Sequence, residues 1–110
     1  MNWIPLTENT ALDIIKENSF NLPQLIFKHS TRCSISSMAK NRLDRTEAPG
    51  GVEFHFLDLI AHRSISNRIA EIFNVAHESP QVLLIKNGEC IYDESHSGIS
   101  MDEIMEQVNQ

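Results

Sequence analysis

The thiols of Cys33 and Cys90 are the only soft nucleophiles in this sequence. Cys33 opens the segment Cys33-Ser34-Ile35-Ser36, a C-x-x-S spacing in which serine stands where a dithiol would carry its second cysteine. Such a thiol can attack a disulfide or accept an adduct, but it cannot close a bridge across that spacing. Arg32 adjoins it, and a neighbouring cation favours thiolate over thiol. Ser36 can donate a hydrogen bond to a sulfur anion, or it can satisfy backbone groups in a first helical turn. Cys33 itself has two readings, a reactive thiol or a small apolar residue at a helix start. The five histidines, at 29, 55, 62, 77 and 96, show no i, i+4 pair that would gather metal ligands on one element.

Whether Cys33 is activated depends on the elements around it. Residues 8–18 carry Leu12, Ile15 and Ala11 at helical spacing, with Thr7 or Asn9 as the cap. Asn21-Leu22-Pro23 breaks the pattern, and Gln24 to His29 is a short apolar run suited to a buried strand. Ser30-Thr31 supplies capping chemistry for a helix from Cys33 to about Arg45, with Ile35, Met38, Ala39 and Leu43 in helical register. Ala48-Pro49-Gly50-Gly51 is a turn, and Val52 to Phe56 alternates as a strand with Val52, Phe54 and Phe56 on one face. Residues 64–74 read as a helix with Ser64 as its cap and Ile65, Ile69, Ile72 and Phe73 in register. Pro80 to Lys86 is a strand, Asn87-Gly88 a type I′ hairpin turn, and Cys90 to Asp93 its partner strand. Ser100 and Glu103 form a capping-box pair opening a last helix with Ile104, Met105 and Val108.

This order predicts an α/β fold of one domain over residues 1–110, a four-stranded mixed sheet with helices on both faces. The thioredoxin-like winding is the commonest arrangement that fits it. In that winding Cys33 stands where the first core strand hands over to a helix, the end of the sheet where ligands collect. Unpaired amides of the first turn, the helix dipole and Arg32 all favour its anion. Cys90, on the edge strand, is placed away from Cys33 and reads as a packed, inert thiol.

The chain of 110 residues has a net charge of −6, which argues against general binding to nucleic acid or anionic membranes. No apolar run approaches the roughly 20 residues of a membrane span, and Met1 to Pro5 lacks a secretory pattern. The expectation is a cytoplasmic protein with reduced thiols. From Lys28 to Leu43 there is no acid, while Lys28, Arg32, Lys40 and Arg42 fall in that stretch. The stretch is either an ordinary solvated surface or a local positive field around Cys33.

Two segments, Phe27-Lys28-His29-Ser30-Thr31-Arg32-Cys33-Ser34-Ile35-Ser36 and His77 to Gly88, followed by Ser95-His96, resemble the monothiol bacilliredoxin family of bacillithiol-system redox proteins. The resemblance runs from about Phe20 to the last helix. It implies a thioredoxin-like fold and removal of bacillithiol from mixed disulfides on cytosolic proteins, with Cys33 as nucleophile. It also implies a cis Ser79-Pro80 bond facing the cysteine, with the Ser79 backbone aligning the substrate disulfide. Lys28 and Arg32 then become contacts for the malate carboxylates of bacillithiol, and Ser34, Ser36 and Pro80 complete the site. No resident cofactor or metal is implied. Bacillithiol, or another low-molecular-weight thiol, serves as co-substrate, and the partners are S-thiolated proteins, the small thiol and a partner reductase. The family often carries proline after the cysteine, in a T-C-P-I-S pattern. Here Arg32 separates Thr31 from Cys33 and Ser34 follows it, so an amide N–H is present that proline would lack. Two other functions fit the residues, a non-catalytic interaction module and a thiol sensor in which Cys33 is capped as a signal.

Overall fold

The structure, a computed structural model, describes residues 1–110. Five strands form one mixed sheet: β1 (Trp3–Pro5), β2 (Gln24–His29), β3 (Glu53–Asp58), β4 (Gln81–Lys86) and β5 (Glu89–Ser95). Their order is β1-β3-β2-β4-β5, with β1 and β2 parallel to β3, and β4 antiparallel to both β2 and β5. Four helices cover it: α1 (Thr10–Asn18), α2 (Ser34–Asp44), α3 (Arg63–Phe73) and α4 (Met101–Val108).

The sheet has one strand more than the sequence predicts. β1 is three residues long and ends in proline, so it carries no alternation to read. Tertiary contacts hold it instead. The Trp3 indole N–H donates to Asp44 Oδ1 at 2.7 Å, and its ring stacks on Phe27 at 5.5 Å between centroids.

Period-2 alternation in β2 divides the core. Leu25 and Phe27 lie with Phe54, Ala39 and Leu43 of α2, and Ile104 and Val108 of α4. Ile26 lies on the other face with Leu12 and Ile15 of α1, and Ile65, Ile69 and Phe73 of α3. Because helices cover both faces, every residue of β2 is buried, its lysine and histidine included.

The hairpin turn has positive φ at both Asn87 (54°) and Gly88 (80°), as the Asn-Gly pair predicts. Ser100 caps α4 through its hydroxyl, which accepts the Glu103 N–H at 3.2 Å. Three caps differ from the sequence reading. Asn9 occupies the N-cap position of α1 but its side chain makes no capping bond. His62, not Ser64, precedes α3. Cys33 itself is the N-cap residue of α2, in place of Ser30-Thr31. β5 extends to Ser95 and runs into a short 3-10 turn, His96–Gly98, which the sequence reading left out.

Candidate functional site

At the C-terminal end of β2 the chain leaves the sheet and turns directly into α2. The Cys33 N–H donates to Ser30 O at 3.2 Å, closing the turn, and Cys33 O accepts the first amide of the helical ladder, Ser37 N–H, at 3.0 Å. Cys33 has extended dihedrals (φ −110°, ψ 122°) and is half-buried. The amides of Ser34, Ile35 and Ser36 have no carbonyl one turn back inside the helix, so they remain open at the end that carries the sulfur.

A buried polar knot holds this turn. Ser36 Oγ accepts the Ser30 N–H at 3.0 Å and lies 2.7 Å from His29 Nδ1. With the ring neutral and its proton on Nε2, the Ser36 hydroxyl donates to Nδ1. Burial, then the Lys40 cation, holds the His29 ring below the ordinary imidazole range, which favours that neutral state. Of the two sequence readings of Ser36, the structure shows the one in which it satisfies backbone and side-chain groups of the turn. His29 is the residue that braces the turn from below. A histidine at the last position of a buried strand is the signal that could have found it.

Lys28 requires a second correction. It has no solvent exposure, so it is not a surface contact for a ligand carboxylate. Its Nζ donates to His77 Nδ1 at 3.3 Å, and Ser66 Oγ lies 3.3 Å from the same nitrogen. Lys28 thus ties β2 to the loop that leads into β4. Burial pushes its amine down to about 8. Arg32 and Ser34 are exposed beside Cys33, and Arg32 makes no ion pair.

The loop before β4 reaches the same end of the sheet. Lys28 pairs with Gln81 across β2 and β4, so extending that antiparallel register sets Pro80 opposite His29. The Ser79-Pro80 bond is cis, as the sequence resemblance implies. Pro80 O is used by His96 N–H at 3.1 Å, whereas no backbone hydrogen bond within the chain engages the Ser79 N–H or C=O. An unpaired backbone edge beside a cysteine can take an extended chain as an added strand.

Cys90 lies at the other end of the sheet, after the hairpin. Its S–H donates to Tyr92 O at 3.3 Å, and burial pushes the thiol up to about 11. Both cysteines are free. The cavity of about 300 Å³ lined by Phe73, Gly88 and Cys90 also belongs to that end and has no part in the chemistry of Cys33. No three His, Cys, Asp or Glu side chains are grouped to hold a metal ion, and no helix is long and apolar enough to cross a membrane.

A mixed sheet, a cysteine at the start of α2 and a cis proline at the same end of the sheet define a thioredoxin-like protein with one thiol at that end. Solved structures agree on the class. A protein of thioredoxin fold with an ascribed oxidoreductase role superposes with a TM-score of 0.80 at 28% identity, over 97% of this chain and 93% of the other. Thioredoxin from Malassezia sympodialis gives 0.76 at 14% identity, over 99% and 90%, and thioredoxin f2 of Chlamydomonas reinhardtii 0.73 at 14%, over 99% and 95%. The family model described as monothiol bacilliredoxin BrxC matches residues 4–104, so the chain belongs to the monothiol bacilliredoxin family. Its role is that of a thiol–disulfide oxidoreductase.

Proposed function

We propose that this chain removes bacillithiol from mixed disulfides on cytoplasmic proteins, with Cys33 as the nucleophile. The observation that carries the reading is a free cysteine at the N-cap of α2, at the same end of the sheet as an unpaired Ser79 backbone, in a chain of the monothiol family.

In the first step the Cys33 thiolate attacks the bacillithiol sulfur. A Cys33–bacillithiol disulfide forms, the protein–bacillithiol bond breaks, and the electron pair leaves on the protein sulfur, which takes a proton from water. In the second step a bacillithiol thiolate, or a reductase thiolate, attacks the adduct sulfur and releases Cys33 as thiolate. The second thiol is oxidised to a disulfide, the two electrons it gives up are balanced by those left on the released protein thiol, and the chain returns unchanged. Ser79 N–H and C=O hold the incoming segment extended. The exposed Arg32 meets the malate carboxylates of bacillithiol.

The test is turnover of a bacillithiolated protein with excess bacillithiol, followed by loss of the adduct mass. Wild type and Cys90→Ser are expected to turn over alike, and Cys33→Ser to fall to the uncatalysed rate. Equal activity in Cys33→Ser would overturn the assignment. Activity with other small-thiol adducts but none with bacillithiol would overturn the substrate while leaving the chemistry.

A further inference from the structure

The buried side of α2 is formed by Ser36, Ala39 and Leu43. One flank of the helix carries two large apolar residues in the open, Ile35 (48% exposed) and Met38 (60%). Both are in helical register with the core residues, so the sequence alone counts them with the interior. On the helix they fall at i and i+3, and Arg42 and Arg45 continue the same side at i+7 and i+10. One strip thus starts two residues after Cys33 with two apolar side chains and ends on two guanidinium groups.

The charges on this strip are unusually placed for so acidic a chain. Five of its nine Lys and Arg fall between Lys28 and Arg45, where Asp44 is the only acid; Lys28 is buried and Lys40 is paired with Asp44, so Arg42 and Arg45 are the cations of the strip. Asp44 is turned elsewhere, its oxygens taken by Lys40 Nζ and the Trp3 indole, each at 2.7 Å. Arg42 is held by donating to Ile99 O at 3.2 Å and His96 O at 3.4 Å, both neutral acceptors, and makes no ion pair. Arg45 is exposed and makes no ion pair. Of the other acids, Glu47 lies beyond the end of the helix, Glu78 is 3.7 Å from His96, and the Glu94 carboxylate lies against Gly98, between the two carbonyls that hold Arg42.

We infer that this strip is the docking surface for the protein half of the mixed disulfide, and that its occupant is an extended acidic segment. Apolar side chains next to the partner's cysteine cover Ile35 and Met38, and carboxylates further along meet Arg42 and Arg45. From Cys33 to Arg45 the helix rises by about 18 Å, which an extended strand spans in about five residues. The partner therefore carries an apolar residue within two or three positions of its cysteine and acids at about the fifth. Exposed cations of this kind act on encounter rate and on choice of partner more than on the bond exchange itself. The inference rests on the exchange reading above and deepens it by naming the class of protein substrate.

The test measures exchange rates of the full chain with three cysteine peptides, each carrying the same small-thiol adduct. One has apolar and acidic flanks, one apolar and basic, one polar and acidic. A fourth substrate, a small mixed disulfide without peptide, reports the chemistry alone. The apolar acidic peptide is expected to react about tenfold faster than the basic one at low salt, with most of that margin lost at high salt. The double variant Met38→Glu/Arg45→Glu is expected to lose about tenfold on that peptide and stay within about twofold on the small disulfide. Equal rates on all peptides, or a parallel loss on the small disulfide, would overturn the docking strip. Failure of all four substrates would overturn the exchange reading beneath it.

Discussion

A lysine with no solvent exposure and no carboxylate beside it has a cost that depends on pH. Burial brings the Lys28 amine from 10.5 down to about 8. Between those values the unfolded chain holds more protons than the folded one, so this residue makes stability rise with pH from about 8 to 10.5. Below pH 8 the folded protein carries the buried ammonium at a cost of up to about 3 kcal/mol. Lys28→Met keeps the volume and removes the charge. The variant is expected to be about 1–3 kcal/mol more stable at pH 7, with the gap closing toward pH 10, as measured by urea unfolding at both values. Comparing the two proteins cancels Cys90 and Tyr92, whose acids are pushed up to about 11 and about 12 and which lower stability with rising pH. A Lys28→Met protein less stable at pH 7 would mean that the bond to His77 outweighs the burial. The sequence shows Lys28 as one of four cations in an acid-free stretch, a pattern that surface and interior share. Only the covering of both faces of β2 decides between them.

At the scale of the element, α2 is defined by how it begins. Strand alternation stops at His29, and the apolar spacing resumes after Cys33, so the handover is legible from the residues. The knot that sets the handover's shape is not, because His29 and Ser36 are seven residues apart on different elements. Their contact depends on which face of β2 the imidazole takes. Ser36→Ala removes the acceptor of the Ser30 N–H and leaves His29 Nδ1 buried without a partner. The expected loss is about 1–3 kcal/mol of stability, together with slower exchange as the turn that holds Cys33 loosens. Ser36→Thr, which keeps the hydroxyl, is expected to restore most of the rate. Unfolding free energies and exchange rates for the pair check this, and an Ala variant as fast as wild type would deny the knot a positioning role. Helical spacing was likewise blind to the outward face of α2. Ile35 and Met38 share the period of Ala39 and Leu43, and periodicity gives a helix without saying which side the sheet will take. β1 was illegible for another reason: three residues ending in Pro5 have no period, and the Trp3 contacts that hold the strand lie 41 residues away at Asp44.

Across the whole molecule, the proposed chemistry falls at one end of the sheet, and the other end holds the hairpin and a packed thiol. The working end gathers Cys33 and its open amides, the cis Ser79-Pro80 bond and the exposed Arg32, all on loops leaving a sheet buried on both sides. The far end has the hairpin and Cys90, whose thiol, pushed up to about 11, is ionised to only about one part in a thousand at pH 8. This division was readable from element order and two sequence segments, because the winding of the sheet sends both segments to one end. The most direct measurement of it is the intact and peptide mass of the chain after one equivalent of a bacillithiolated protein, quenched before any free thiol is added. The expected result is a single bacillithiol on Cys33 in wild type and in Cys90→Ser, and none in Cys33→Ser. An adduct on Cys90, or a partner protein that keeps its bacillithiol while Cys33 stays unmodified, would contradict it.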